Sequence, residues 1–257
     1  MSKQLLFYEL VTPISNTRHA KWSVRADARY KFAAESNAVP LMTVEFIAAA
    51  HEFPIVFSTA DNVLPVAVIG LDADKSLFVA NDGSWGSSYI PAFVRRYPFV
   101  FSASEDGKTL TLCIDESFDG LDRKGESGQR LFDDAGVRTP YLESMLQFAN
   151  AFQGEHQRTR QFGEILKGLD ILEPSEAKIA LPDGTSRSLT GFQCVSRAKL
   201  KELNPDKLAG MLANGALELI YLHLYSMRNF DDLVRKLTVP PPPEPAARRE
   251  APTQSMT

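Results

Sequence analysis

The chain has 257 residues, of which 44% are hydrophobic and 23% are charged, and its formal net charge at pH 7 is -4. These values are ordinary for a globular protein and differ from those of disordered or fibrous chains. The slightly acidic balance argues against the basic face that holds a nucleic-acid backbone, so we expect no nucleic-acid partner.

Two further features bear on where the protein resides. Cys113 and Cys194 stand in no CxxC pattern, which favours two reduced thiols, although a single bridge between them stays open. The segment Met1–His19 lacks the uninterrupted apolar stretch of a secretory signal, and no run approaches the ~20 apolar residues that span a bilayer. We therefore expect a cytoplasmic protein without a transmembrane segment, unless export needs no cleaved signal.

The first half of the chain alternates short apolar runs with turns rich in Asn, Asp and Gly, for example Glu105–Gly107. Two helices interrupt the runs, Val44–Glu52 and Ser88–Tyr97, and Pro98 ends the second. The apolar runs are rich in Val, Ile and Phe and predict strands at Ile55–Phe57, Leu64–Ile69, Leu77–Val79, Phe99–Phe101 and Leu110–Ile114. We expect a largely antiparallel sheet.

A long helix opens the second half. Thr139 can cap it and Pro140 suits its first position, and apolar residues then recur at three- and four-residue spacing as far as Lys167. Gly154 and Gly163 weaken this helix by up to ~1 kcal/mol each relative to Ala.

The remaining elements follow in order. Ala177–Leu181 and Arg187–Leu189 flank the turn Pro182–Gly184 and predict a hairpin, with a further strand at Phe192–Val195. Helices are predicted at Arg197–Leu203 and at Pro205–Leu237, the latter apolar nearly all round and therefore buried. Residues 239–257 are Pro-rich without a hydrophobic run, which predicts a disordered tail.

The predicted fold class is α+β, with a mostly antiparallel N-terminal sheet region packed against a helical C-terminal half that contains one β-hairpin. Residues 1–238 are predicted to form one globular domain with lobes at about 1–135 and 136–238. We expect the long helix to lie across the sheet with Leu142, Met145 and Phe152 facing inward.

The best candidate for an anion site is the pair Arg95 and Arg96, which stands between Tyr89 and Tyr97. A guanidinium fork with aromatic walls can bind an anionic ligand. Adjacent helix positions diverge by ~100°, so only one of the two arginines should face a given pocket. The competing interpretation, which we favour, is that Tyr89, Phe93 and the stem of one arginine simply pack while the other arginine is solvated.

Asp115 and Glu116 follow directly on the predicted strand Leu110–Ile114 and complete the candidate ligand-binding set. Either could act as an acid or base with a carboxylate from elsewhere, but adjacent strand residues point to opposite faces. We favour a role in pairing with an arginine or in capping a turn.

The same region carries the spacing of a calcium loop, with oxygen ligands at Asp115, Ser117, Asp119 and Glu126. However, Asp122 occupies a position that is usually apolar, and the entering segment resembles a strand instead of a helix. An acidic loop is the favoured interpretation, and we expect no bound metal. No other metal, nucleophile, phosphate-binding or dinucleotide motif occurs, so we identify no catalytic residue and expect no cofactor.

Several phrases resemble the SapC family of bacterial proteins: VPLMTVEFIAAAHEFPIVF, SSYIPAFVRRYPFVF, LTLCIDES, GQRLFDDAG, TPYLESMLQFANAFQGEHQRTRQF, LPDGTSRSLTGF and ELIYLHLYSMRNFDDL. The resemblance covers about residues 1–238. It implies an association, in name, with the bacterial surface layer, and it supplies no catalytic residues.

Three functional hypotheses follow. The first is a non-enzymatic accessory or binding protein of the SapC type, linked to S-layer or cell-surface assembly, with a protein or a cell-surface component as its partner. The alternative is an enzyme, or the partner of one, that acts on a small anionic or peptide ligand near Arg95 and Arg96. A weaker alternative is a calcium-dependent assembly protein. The oligomeric state stays open.

Overall fold

The structure is a computed structural model that describes residues 6–25, 29–104, 109–180 and 184–238. Its first half contains mostly short strands: β1 (Val11–Pro13), β2 (Ser23–Val24), β3 (Ala38–Pro40), α1 (Phe46–Ala49), β4 (Ile55–Ser58), β5 (Pro65–Val68), α2 (Ala92–Arg95), β6 (Phe99–Ala103), β7 (Leu110–Asp115), β8 (Leu121–Asp122) and β9 (Gln129–Arg130). Two 3-10 turns, Lys31–Ala33 and Thr43–Glu45, precede β3 and α1.

The second half is mainly helical and contains one hairpin: α3 (Pro140–Leu169), β10 (Leu172–Ala180), β11 (Ser186–Val195), α4 (Arg197–Lys201), α5 (Pro205–Ala213), α6 (Ala216–Ser226) and α7 (Asn229–Thr238). The predicted hairpin pairing is confirmed, since Ala177 lies opposite Leu189 and Ala180 opposite Ser186. Residues 181–183 of its turn lie outside the described residues, as do the predicted turn Glu105–Gly107 and the predicted tail at 239–257.

The strands form three sheets, with orders β1-β7-β6, β10-β11-β4-β5-β3 and β8-β2-β9. Each strand pairing in these sheets is antiparallel, which confirms the α+β class. The five-stranded sheet takes strands from both predicted lobes, because β11 pairs with β4 through Phe192 opposite Ser58.

Four of the predicted strands in the first half are present, and the fifth is wrong. Leu77–Val79 forms no strand and contributes only an isolated bridge between Val79 and Trp85. The apolar side chains of this segment pack in the core instead. Phe78 is buried and stacks on the Trp85 ring, with 5.9 Å between the two ring centres.

The long helix begins where the sequence predicts. The Thr139 side chain accepts a hydrogen bond from the Leu142 N–H, Pro140 takes the first helical position, and the helix runs to Leu169. Leu142 packs in a small core with Phe99 and Ile114, whereas Phe152, further along the same helix, packs in the main core of the molecule. The helix α3 therefore joins the two hydrophobic clusters.

Three helix predictions need correction. The segment Pro205–Leu237 is three helices, because Gly215 adopts φ +78° between α5 and α6 and the chain breaks again at Met227. The helices predicted at Val44–Glu52 and Ser88–Tyr97 shrink to the single turns α1 and α2.

For α2 the cause of the late start is visible. The Tyr89 carbonyl, which would accept from within a longer helix, instead accepts hydrogen bonds from the Trp85 indole and the Ser87 hydroxyl. Pro91 then takes an extended conformation immediately before the helix.

Of the helices in the described ranges, none is both long and apolar enough to cross a bilayer.

Candidate functional site

An aromatic cage surrounds the guanidinium of Arg96, immediately after α2. The carbon Cζ of Arg96 lies 4.4 Å from the ring centre of Phe152, 4.7 Å from that of Phe93 and 5.7 Å from that of Tyr8. These rings come from α3, from α2 and from the N-terminal segment. We call Arg96, Tyr8, Phe93 and Phe152 the arginine cage.

The arginine cage holds a positive charge without an acidic partner. No carboxylate in the described ranges lies within ion-pair distance of Arg96, and its Nε is buried without a hydrogen-bond acceptor. The ring faces compensate partly, since a cation over an aromatic ring gains ~0.5–2 kcal/mol. The Tyr8 hydroxyl donates to the Phe99 carbonyl at 2.7 Å, and burial raises the pKa of Tyr8 to about 12 although Arg96 acts to lower it, so this neighbour is neutral at pH 7.

Two further basic side chains follow the arginine cage along α3. His156 and Arg160 follow Phe152 at intervals of four residues, which places all three on one helix face. His156 is half-buried, and its pKa is lowered by burial and then by the charges of Arg160 and Arg96. Arg160 is exposed and makes no ion pair within the part of the chain that the structure describes.

Arg95 stacks on a different aromatic ring from Arg96. Its guanidinium lies 5.3 Å from the ring centre of Phe148, one turn before Phe152 on α3, and its Nε donates to the Ile90 carbonyl at 2.9 Å. The two adjacent arginines thus stack on successive turns of the same helix, and only Arg96 is caged.

Tyr89 binds a buried carboxylate, that of Glu45, which sequence reasoning did not identify. The Tyr89 hydroxyl donates to Glu45 at 2.8 Å, and Glu45 also accepts from the backbone N–H groups of Ala92 at 2.7 Å and Met42 at 2.8 Å. Burial raises the pKa of Glu45, and burial together with the Glu45 charge raises the pKa of Tyr89. The sequence carries no capping-box signal for this role, because Met42 stands three residues before Glu45 where such a box has Ser or Thr.

Asp115 is fully buried and saturated with donors. Its oxygens accept from the N–H groups of Glu9 at 2.8 Å, Leu10 at 3.0 Å and Ser117 at 3.0 Å, and from the Ser117 hydroxyl at 2.7 Å. The Tyr97 hydroxyl is a weaker donor at 3.3 Å. Burial acts to raise the pKa of Asp115, but these hydrogen bonds outweigh it and hold the pKa below its ordinary value.

Glu116 interacts with Arg18 and His19, further along the N-terminal segment than the residues that contact Asp115. The Arg18 guanidinium donates two hydrogen bonds to the Glu116 carboxylate oxygens, at 2.5 and 2.6 Å. The Nε2 atom of the fully buried His19 lies 3.1 Å from Glu116 Oε1. Because His19 Nδ1 accepts from the Ser15 N–H at 3.2 Å, its Nε2 must carry the proton and donate. The bonds from Arg18 hold the pKa of Glu116 low against the opposing effect of burial.

The calcium spacing does not assemble a set of ligands. Asp115 already accepts five hydrogen bonds, counting the weaker one from Tyr97. The Asp122 carboxylate bends the loop by accepting from the N–H groups of residues 124–127. Across the described ranges, no group of three or more His, Cys, Asp or Glu side chains is placed to hold a metal ion. Both Cys113 and Cys194 are free thiols.

Two grooves mark the surface elsewhere. One, of about 630 Å³, lies between the β6–β7 pair and the first half of α3, and the other, of about 730 Å³, lies between β10 and α7. None of the six predicted ligand-binding residues lines either groove. The structure thus brings Tyr97 and Asp115 together, stacks the arginines on α3, and places Tyr89 and Glu116 in separate internal networks.

Comparison with known proteins gives one match. A family model described as SapC matches residues 14–233, which include every predicted site residue but not Tyr8. No curated protein and no solved structure matches the chain.

Proposed function

This chain belongs to the SapC family, and from that premise we propose that it is a non-enzymatic binding protein whose ligand presents an acidic group to Arg96. The observation that supports the proposal is the charge of Arg96 in the arginine cage, which has no ion-pair partner within the described ranges. A partly desolvated guanidinium interacts more strongly with an anion than a solvated one, because the local dielectric constant is lower.

The surroundings of the charged and titratable side chains favour binding over catalysis. A general acid or base must reach a proton of the substrate. Asp115 and Glu116 direct their oxygens at internal donors, and His19 and His223 each use both ring nitrogens in buried hydrogen bonds. The alternative, an enzyme that acts on an anionic or peptide ligand near Arg95 and Arg96, would therefore need a catalytic group outside this set, for which the half-buried His156 is the candidate.

A role in S-layer or cell-surface assembly is the finer form of the proposal, and it rests on the family name alone. Cell fractionation of the native organism tests it, together with identification of what co-purifies. A protein confined to the cytoplasm and without a surface-associated partner would contradict this finer form and leave the binding role standing.

The binding role is tested by NMR at the Arg96 Nε–H signal. We expect that signal to shift saturably when small carboxylic and phosphoric acids are added, and Arg96→Gln to abolish the binding measured by calorimetry. Arg228→Gln is the matched control, because Arg228 also stacks on a ring, that of Tyr225 at 5.3 Å, and its loss changes the charge equally. If no acid moves the Arg96 signal, the proposal is wrong.

A further inference from the structure

Three positive or protonatable groups converge where α2 meets the middle of α3. Arg96 lies on the Phe152 ring, and His156 and Arg160 follow on the same face of α3. Side chains four residues apart on a helix are neighbours, with Cβ atoms about 5–6 Å apart. We call Arg96, His156 and Arg160 the cationic cluster.

Among the described residues, the two arginines of the cationic cluster form no ion pair. The nearest acids along α3 are Glu155 and Glu164, and Glu155 is already paired with Arg158. Glu164 stands one turn after Arg160 but forms no ion pair with it within the described ranges. Two arginines thus share one surface with a histidine, and neither arginine is ion-paired within the described ranges, although the chain as a whole is acidic.

We propose that the cationic cluster binds a doubly charged oxyanion, namely the phosphate monoester group of a small soluble compound. This inference rests on the proposed binding role of Arg96 and specifies its ligand. A carboxylate carries one negative charge and offsets one arginine, whereas a phosphate monoester carries about -1.5 to -2 at pH 7 and has three acceptor oxygens. Two guanidinium groups and an imidazole match that charge and that number of acceptors.

The state of His156 agrees with such a ligand. Its pKa is lowered by burial and by the two arginines, so it is mostly neutral at pH 7 in the free protein. A neutral imidazole still donates one hydrogen bond. A bound dianion would offset the arginine charges and favour the protonated ring, which then donates two.

A soluble compound suits the surroundings better than a lipid headgroup does. Proteins that bind a bilayer surface usually insert large apolar side chains beside the charged contact. Exposed apolar side chains near the cluster lie at its edges, at Leu6 and Leu10 beside Tyr8 and at Val44 and Ile47 near Thr43, whose N–H donates a hydrogen bond to Thr159. No large apolar side chain of α2 or α3, which carry the cluster, is exposed.

The experiment compares phenyl phosphate with benzoate by isothermal titration calorimetry on the full chain at pH 7. These probes share the aromatic ring and differ in the acid. We expect phenyl phosphate to bind at least ten-fold more tightly. Arg160→Gln should weaken phenyl phosphate binding about five-fold and change benzoate binding less than two-fold. Arg158→Gln is the matched control, since it removes the same charge from the same helix but from a paired side chain, and it should change neither.

Each other outcome overturns the inference. Equal affinity for the two acids, or an Arg160→Gln effect that is the same on both, would refute the phosphate assignment and leave the binding role of Arg96 intact. Binding of neither acid would overturn both proposals. Binding to vesicles of phosphatidic acid in phosphatidylcholine, without binding of phenyl phosphate, would refute the soluble ligand. Circular dichroism of each variant checks that it is folded.

Discussion

The fully buried His223 should make the stability of the protein depend on pH. It lies in α6, where its Nδ1 donates to the Ile55 carbonyl at 2.7 Å and its Nε2 accepts from the Val195 N–H at 3.1 Å. Both bonds require the neutral ring, because a protonated Nε2 could not accept. Burial lowers the pKa of His223 to about 4.

The sign and size of the effect follow from linkage. In the unfolded chain the pKa is about 6.5, so between pH 6.5 and pH 4 the unfolded state binds more protons than the folded state. The contribution of His223 is therefore complete above about pH 6.5 and is lost as the pH falls toward 4. A difference of about 2.5 pKa units at 1.36 kcal/mol each amounts to about 3 kcal/mol, a large part of the ~5–15 kcal/mol that stabilises a typical domain.

The assay compares wild type with His223→Gln, which keeps a donor and an acceptor but cannot titrate. Urea unfolding is followed from pH 4 to pH 7.5 at constant ionic strength, by fluorescence and circular dichroism together. We expect the wild-type advantage in free energy of unfolding to shrink by about 3 kcal/mol from pH 6.5 to pH 4. Taking the difference between the two proteins removes the titration of groups that they share.

Ser226→Ala is the control from the same network. The Ser226 hydroxyl donates to the His223 carbonyl at 2.6 Å and accepts from the Ile55 N–H at 2.9 Å, and it does not titrate. Its loss should lower the free energy of unfolding by about 1–3 kcal/mol at every pH, because it leaves a buried N–H unpaired. If the difference between wild type and His223→Gln were equally large at pH 4 and pH 6.5, the assignment of a buried neutral histidine would be refuted.

Two further predictions concern stability. Gly163→Ala should lower the free energy of unfolding, because the added Cβ would lie 2.0 Å from the Val63 carbonyl oxygen, whereas Gly154→Ala in the same helix meets no atom within 4 Å and should raise it by about 0.5–1 kcal/mol. Thermal unfolding of both variants checks the contrast, and equal shifts would contradict it. Glu116→Gln should lower the free energy of unfolding by about 1 kcal/mol, because it breaks the two hydrogen bonds from Arg18, whose half-exposed side chain is screened by water. Because the pKa of Glu116 is lowered, this deficit should be largest above pH 4.5 and shrink as the pH falls, and a deficit that grows toward acid pH would contradict the assignment.

The contrast between α3 and α5–α7 shows how local signals can both succeed and fail. The start of α3 was predictable because a capping threonine followed by proline acts within one turn. The break at Gly215 also had a local signal, the Asn-Gly pair at 214–215, but the nearly continuous apolar pattern concealed it. Leu77–Val79 failed for the opposite reason, since an apolar run signals burial without specifying a strand partner.

The residues of the candidate site were predictable from the sequence only in part. The sequence alone determined that an arginine pair stands among aromatic residues at the end of a short helix, that the fold is α+β, and that the chain resembles the SapC family. Tertiary packing sets the long-range contacts: Arg96 lies on Phe152, 56 positions later, while Asp115 and Glu116 bind residues about a hundred positions earlier. The physical reason is range: caps, turns and periodicity act among neighbours in the chain, whereas the partner of a charge is set by which distant segments the two hydrophobic clusters bring together.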